Sequence, residues 1–493
     1  MGSNRGKNVS IAVRAAIMLI WLGMVGILVQ RTCFDGGGGS HARAGGTTSQ
    51  LRPREEWMGI YWGGEKVGYS VSRIKKSRDG YQMDEQAVMD LTVMGTAQRI
   101  DTELTSRVDN AFTLRSFDFR MISNLFSFKA AGTVDGNRLQ MELASGAGTK
   151  RTAIELEEAP CLAGTLKPLM LSEGLEVGKR LRYSIFDPAT MASAPVEIVV
   201  EGKENLEIRG RTIACYRLGS TFKGITLRSW IDEEGNTMRE ESPMGLMLIR
   251  ESKVDALTAN WRGTKKDFLT ASAIPVERPI TADDPAYLKV RLMNCDLQGF
   301  DLSSQRQALR DDTLEITRED LSDVPPCIIP VGEKEMQEYL SPTPFIQSAD
   351  PALRTQAGEI IGDERDALKA AALIHGWVYR TIEKKPALSI PSALDVLRLK
   401  VGDCNEHATL FVALCRAAGI PCKLCAGIVY NQGSFYYHAW SEFYAGLWVS
   451  ADPTLDQLPA DATHIRLIEG GLDRQLEIIR LIGALKVEVV EYR

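Results

Sequence analysis

The chain has 493 residues, long enough for two or three domains and a large core. A quarter of the residues are charged, the formal net charge is −6 and aromatics make up 7%. That balance leaves no basic surplus of the kind that recruits nucleic acid.

Arg5, Lys7 and Arg14 precede an uninterrupted apolar run at 15–29. With Arg14 snorkelling, residues 9–29 would reach about 30 Å at the helical rise. The pattern predicts a single-pass transmembrane anchor at 1–31. Three basic residues precede the run and one follows it, which puts residues 31–493 on the periplasmic or extracellular side of an inner membrane. The alternative is a cleaved signal peptide, for which Ala42-Arg43-Ala44 offers a site well beyond the apolar run. Residues 32–54, opening with Gly36-Gly37-Gly38-Gly39-Ser40, read as a flexible tether.

From 55 to 260 the texture changes to short alternating segments between Gly, Asn and Asp turns. Residues 67–74, 81–93, 113–121, 126–134, 138–143, 182–185, 196–201, 211–218, 225–231 and 247–253 are the expected strands. Asp135-Gly136-Asn137 and the 232–236 stretch are expected hairpin turns. This is an antiparallel β domain. It resembles periplasmic half-barrel domains that bind lipids or sort lipoproteins, although no residue set carries a ligand over. A scaffold that presents the rest of the chain or meets an envelope protein partner is an equal reading.

Prolines punctuate 261–348, which reads as a connector or small β module with a strand near 287–294. The pattern then turns helical at 365–382 and 391–400. A final helix over 474–485 and a strand over 486–492 close the chain.

The chemistry concentrates in Gly402-Asp403-Cys404-Asn405-Glu406-His407. Asp403 reads as an N-cap, Glu406 completes a capping box, and Gly419 with Pro421 stops the helix. Cys404 then sits at the first helical position, where free N–H groups and the dipole favour a thiolate. The plain alternative is a buried structural cysteine. A thiol nucleophile needs a histidine base and a group to orient it. His407 would lie on the helix wall, as a surface or supporting residue. His438 is the better base, on a strand at 435–444. A second strand, 447–452, follows a turn at Ala445-Gly446. If the loop is Tyr444-Ala445-Gly446, Phe443 pairs with Leu447 and His438 faces Asp452 directly; a two-residue loop would break that register.

The runs GDCNEHATLFVALCRAAGIPCKLCAGIV, HAWSEFY and LWVSADPT resemble the transglutaminase-like superfamily over about 350–470. The resemblance implies a papain-like fold at 349–493, so the chain is expected to be α+β: a transglutaminase-type domain after an antiparallel all-β domain and an anchor. It implies Cys404 as nucleophile, His438 as base and Asp452 as the orienting carboxylate. It also implies acyl transfer on a peptide or protein substrate. Water as acceptor gives a thiol protease or amidase, a lysine gives a cross-linker, and exported relatives of this kind are expected to be hydrolytic. The Cys404 N–H is one expected oxyanion donor; Trp377 or a residue of 392–400 is a candidate for the second. The reading from another class is an envelope binding or assembly protein whose transglutaminase-like domain is structural.

Nine cysteines invite pairing. Cys422 and Cys425 fall three apart on a strand and point to opposite faces, which suits neither a metal nor a disulfide. Cys404 and Cys415 are about 16 Å apart along the helix. A Cys161–Cys215 bridge remains open. The sequence holds no phosphate loop, HExxH or EF-hand, and nothing in it points to a metal or other cofactor.

Overall fold

The computed structural model describes residues 53–493, apart from 94, 147, 157–160, 259–260, 262–265, 323, 388 and 391. The expected anchor, and the tether as far as residue 52, lie outside the described residues. Among the described residues no helix is long and apolar enough to cross a membrane. The chain folds as two compact units that divide at residue 268.

The first unit is built on one fourteen-stranded antiparallel sheet. Strands run as a meander from Arg54–Trp62 outward to Gly148–Glu155, and a second meander runs inward from Arg180–Asp187 to Leu246–Glu251. The two close on each other where Trp57 pairs with Glu251 and Trp62 with Leu246. Alternation makes these strands: Ser127–Asp135 and Arg138–Ser145 bury every second side chain. Gly136 takes the left-handed backbone the hairpin needs, with φ of 62°. The strand Thr96–Asp109 is not obvious from hydrophobicity. Its inward positions include Gln98, Thr102 and Ser106 beside Ile100, Leu104 and Val108. No disulfide joins Cys161 to Cys215. Cys161 bridges to Ile185, whereas Cys215 packs with Leu206, Trp230 and Met238.

The second unit, Phe268–Arg493, centres on the helix Cys404–Ala417. Twelve consecutive residues, from Cys404 to Cys415, are buried. A helix with twelve consecutive buried residues must be covered on every side, its polar residues Asn405, Glu406, His407 and Thr409 included. The helices Pro351–Ile361, Ala367–Thr381 and Ala393–Leu399 pack against it on one side. On the other lie the strands Cys422–Asn431 and Ser434–Tyr444. These two strands form the middle of a five-stranded antiparallel sheet. Ile274–Pro275 and Trp448–Ala451 pair with Ser434–Tyr444, and Ile465–Glu469 pairs with Cys422–Asn431.

The segment expected as a connector or small β module is shared out within this unit. Its strands Tyr287–Met293, Gln307–Arg310 and Thr313–Thr317 form a small sheet completed by the C-terminal strand Lys486–Tyr492. The expected final helix is a short α-helix, Leu472–Gln475, that continues as a 3-10 stretch, Leu476–Leu481, with Gly483 in the left-handed region after it.

Candidate active site

The start of the central helix is fixed by its own sequence. Asp403 Oδ1 accepts from the Asn405 N–H at 2.9 Å, and Glu406 Oε2 accepts from the Asp403 N–H at 2.9 Å, which makes the capping box. The second oxygen of Asp403 accepts from the Ala387 N–H at 3.2 Å. Ser389 donates to Glu406. Gly402 is required by proximity, because a Cβ there would collide with the Glu406 side chain. Cys404 therefore begins the helix as expected. The Ala439 backbone N–H, in the residue that follows His438, acts on the Cys404 thiol and favours its charged form, against the effect of burial.

His438 and Asp452 come together, but not in the expected register. Tyr444 pairs with Trp448, Phe443 with Val449 and Ser441 with Ala451. The loop is thus Ala445-Gly446-Leu447, with Gly446 at φ 88°, and the pairing is displaced by two residues from Phe443–Leu447. Asp452 meets His438 diagonally. An even displacement keeps both side chains on the same face, and diagonal neighbours are within reach of long side chains. His438 Nε2 donates to Asp452 Oδ2 at 2.6 Å. The other ring nitrogen, Nδ1, is buried with no hydrogen-bond partner among the described residues.

Cys404, His438 and Asp452 are each 0% exposed. This overturns one electrostatic expectation. Burial pushes the Cys404 thiol well above its ordinary value, and the negative charge of Asp403 adds to the rise. The helix N-terminus does not make Cys404 a free thiolate in this closed arrangement. Cys415 and Cys425 are pushed up by burial as well. Asp452 behaves oppositely. Burial opposes its charge, but the His438 and His464 imidazoles outweigh it and hold the carboxyl well below the usual range. Asp452 Oδ1 also accepts from the Thr454 N–H at 2.8 Å and the Leu455 N–H at 3.1 Å.

His407 is not a surface residue. It is 0% exposed, its Nδ1 donates to the Asp403 carbonyl at 2.6 Å, and burial pushes its ring down to about 4. Trp377 packs against the hydrophobic core around the central helix.

The residue that sequence reasoning missed is His464. Its Nε2 donates to Asp452 Oδ2 at 3.1 Å and its Nδ1 to Asp461 Oδ1 at 3.2 Å. Burial lowers its basicity, but the two carboxylates outweigh burial and raise the ring to about 9. Asp461 in turn is lowered to about 2, chiefly by His464 working against burial. No periodic pattern marks His464; the one signal is the short polar run Asp461-Ala462-Thr463-His464 just before a strand. The donor atoms of His438, Asp452 and His464 lie within 4.8 Å of one another, close enough to reach a single ion. Here, however, both Nε2 atoms are spent on Asp452 Oδ2 as hydrogen-bond donors, so neither offers a metal its lone pair.

Two residues of the 261–348 segment with buried side chains, Arg306 and Glu319, brace this corner. Glu319 accepts from the Ser450 N–H at 2.9 Å, and Arg306 bonds Glu319 at 3.1 Å and the Asp461 carbonyl at 2.7 Å.

Residues 354–453 match the family model described as the transglutaminase-like superfamily. A transglutaminase-like domain therefore forms part of the second unit. Over 164 residues the chain is 32% identical to a Haemophilus influenzae protein described as uncharacterized, covering 27% of this chain and 42% of that protein. The chain thus matches less than half of that relative's length. A Cytophaga hutchinsonii structure described as a candidate cysteine protease is 17% identical with a TM-score of 0.29, covering 43% of this chain and 86% of its own. A Brucella abortus β-barrel-like protein of a domain of unknown function is 10% identical with a TM-score of 0.31, covering 40% of this chain and 94% of its own.

Proposed function

We propose that the chain is a cysteine acyl-transfer enzyme that hydrolyses peptide or isopeptide bonds, with Cys404 as nucleophile, His438 as base and Asp452 as the orienting carboxylate. The observation that carries this reading is the His438 Nε2–Asp452 Oδ2 bond of 2.6 Å, which leaves buried Nδ1 as the nitrogen free to exchange a proton. With Nε2 protonated toward Asp452, Nδ1 takes the thiol proton as Cys404 Sγ attacks the carbonyl carbon. The tetrahedral oxyanion collapses as His438 passes that proton to the leaving amine, and a thioester remains. Water then gives a proton to Nδ1 and adds to the thioester carbonyl. Collapse releases a carboxylic acid and returns the proton to Cys404. The Cys404 N–H, free at the helix start, is suited to the oxyanion. Because Cys404 is fully buried, substrate reaches it only when the groups over the sulfur move aside. The apolar run at 15–29 after three basic residues supports an anchored enzyme with residues 31–493 outside the cytoplasm.

The full burial of Cys404 with its raised thiol favours a second reading: a non-enzymatic envelope assembly protein that keeps the transglutaminase-like domain as structure. The test is to incubate the purified full chain with a library of peptides, isopeptides and peptidoglycan-derived amides, beside Cys404→Ala, and to read the products by mass spectrometry. Cleavage by the native protein alone supports the enzyme. Equal products from both proteins, or none from either with an intact fold, support the assembly protein.

A further inference from the structure

Asp452 has two histidine partners, and the proposed triad uses only one. His438 and His464 both direct Nε2 at the same oxygen, Asp452 Oδ2, at 2.6 and 3.1 Å. Their ring centroids are 5.8 Å apart. Asp461 closes the far side of His464 through Oδ1 and is itself held by the Gln457 side chain at 2.9 Å and by the Thr463 N–H at 2.8 Å. Trp440 lies against both rings, stacked on His438 and edge-on to His464. All three members of the His438–Asp452–His464 chain are 0% exposed.

We propose, resting on the triad reading, that His464 is a positioning residue: a buried imidazolium, clamped between Asp461 and Asp452, that fixes the Asp452 carboxylate and places a positive charge behind His438. Two carboxylates bonded to one ring supply the reason for that charge, since each hydrogen bond is strengthened when the imidazole carries both protons. Its elevation to about 9 agrees.

The other described histidines beside the pair are lowered, not raised, and the Arg306 guanidinium, which bonds the Asp461 carbonyl at 2.7 Å, is paired with Glu319 at 3.1 Å. His375 Nε2 bonds the Asp452 carbonyl at 3.1 Å, and burial keeps its ring neutral to lower pH than usual. His407 is likewise pushed down to about 4 by burial. Asp403 and Glu406 lie at the helix start and bear on Cys404 as negative charges. Of His375, His407 and His464, only His464 is raised.

The consequence is electrostatic. A fixed positive charge behind His438 makes its imidazolium a readier proton donor to the leaving amine. The same charge favours a thiolate in front of the ring. Removing it moves both ionisations of a thiol–imidazole pair to higher pH. At about 6 Å and an effective dielectric of about 20, one charge is worth roughly one to two pH units.

The test is the pH dependence of Cys404 alkylation by iodoacetamide, mapped by mass spectrometry in the native full chain and in His464→Gln. The expected result is a profile displaced to higher pH by about one unit or more, so that the rate near pH 6.5 falls about 10-fold or more. A lower amplitude at every pH with no displacement is a purely structural role and overturns the proposal. A second measurement needs no variant: nitrogen-15 histidine spectra of the native chain, which holds five histidines. A His464 ring still doubly protonated at pH 7.5 supports the proposal, and a neutral one overturns it. Neither readout depends on finding a substrate, so the enzyme reading can fail in the Cys404→Ala comparison while this one stands.

Discussion

His438 Nε2 and Asp452 Oδ2 sit 2.6 Å apart although their residues are not a cross-strand pair. The last paired position of the two strands is Ser441 with Ala451, and Asp452 reaches back along the same face to the imidazole. Beyond Ala451 the chain is bound to itself, with the Asp452 N–H donating to the Gln457 carbonyl at 2.9 Å and the Gln457 N–H returning the bond at 3.1 Å. The carboxylate is therefore carried by a closed turn and stays in place without the support of a longer strand.

The triad makes a graded prediction. Cys404→Ala and His438→Ala should each abolish turnover, because one removes the nucleophile and the other its proton carrier. Asp452→Asn should cost about 10²–10⁴ in kcat, since the base survives with its tautomer no longer enforced. Rates on whichever library substrate the native protein cleaves decide it. Full activity in Cys404→Ala would sink the enzyme reading.

His407 should separate stability from chemistry. It lies three residues after Cys404 but bonds backward to the Asp403 carbonyl, inside the core. His407→Ala should lower unfolding free energy by about 2–4 kcal/mol through a cavity and a lost buried bond. The kcat of the folded fraction should stay within a few-fold. A variant of native stability with no turnover would instead make His407 part of the chemistry.

How much of this site could be read from the chain follows from which residues obey a local rule. The helix start was legible because Gly402, Asp403 and Glu406 act within five positions of one another. The shared face of His438 and Asp452 was legible too, because a two-residue slip preserves it even though the exact pairing was missed. Burial was harder to see. The consecutive apolar residues 410–414 signal a helix covered on every side, yet His407 and Cys404 carry no such mark themselves. His464 had no local rule at all. It reaches Asp452 only because the strand Ile465–Glu469 joins the sheet beside Cys422–Asn431, a non-local pairing. In the β domain, the strand Thr96–Asp109 was hidden by its polar inward residues.

Arg306 and Glu319 predict a coupled stability effect. Their side chains are 3% and 5% exposed, and Glu319 accepts from the Ser450 N–H next to the proposed Asp452 site. Arg306→Met strands a buried carboxylate and should cost about 3–5 kcal/mol. Arg306→Met with Glu319→Gln should recover a good part of that loss, because the uncompensated charge is gone. Urea unfolding of the two single variants and the double variant gives the coupling. Additive losses would show that the pair is not a unit.

The buried histidines predict where stability peaks with pH. His464 holds its proton more tightly when folded, with a ring raised to about 9. Its contribution is complete below the unfolded value of about 6.5 and is lost as pH rises through 9. His407 is the reverse, lowered to about 4. Its contribution is complete above about 6.5 and is lost as pH falls toward 4. Asp461, lowered to about 2, adds a further loss only below about pH 4. The His464 and Asp461 shifts express one ion pair from two sides and count once. Each limb should cost about 3 kcal/mol, the worth of a shift of roughly two and a half units. Thermal unfolding of the full chain should therefore show a maximum Tm near pH 6.5 that declines on both sides. His464→Gln should flatten the alkaline decline and leave the acid one in place. A Tm that keeps rising from pH 6.5 to 8.5 in the native protein would mean that His464 folds neutral and that the clamp around Asp452 carries no cation.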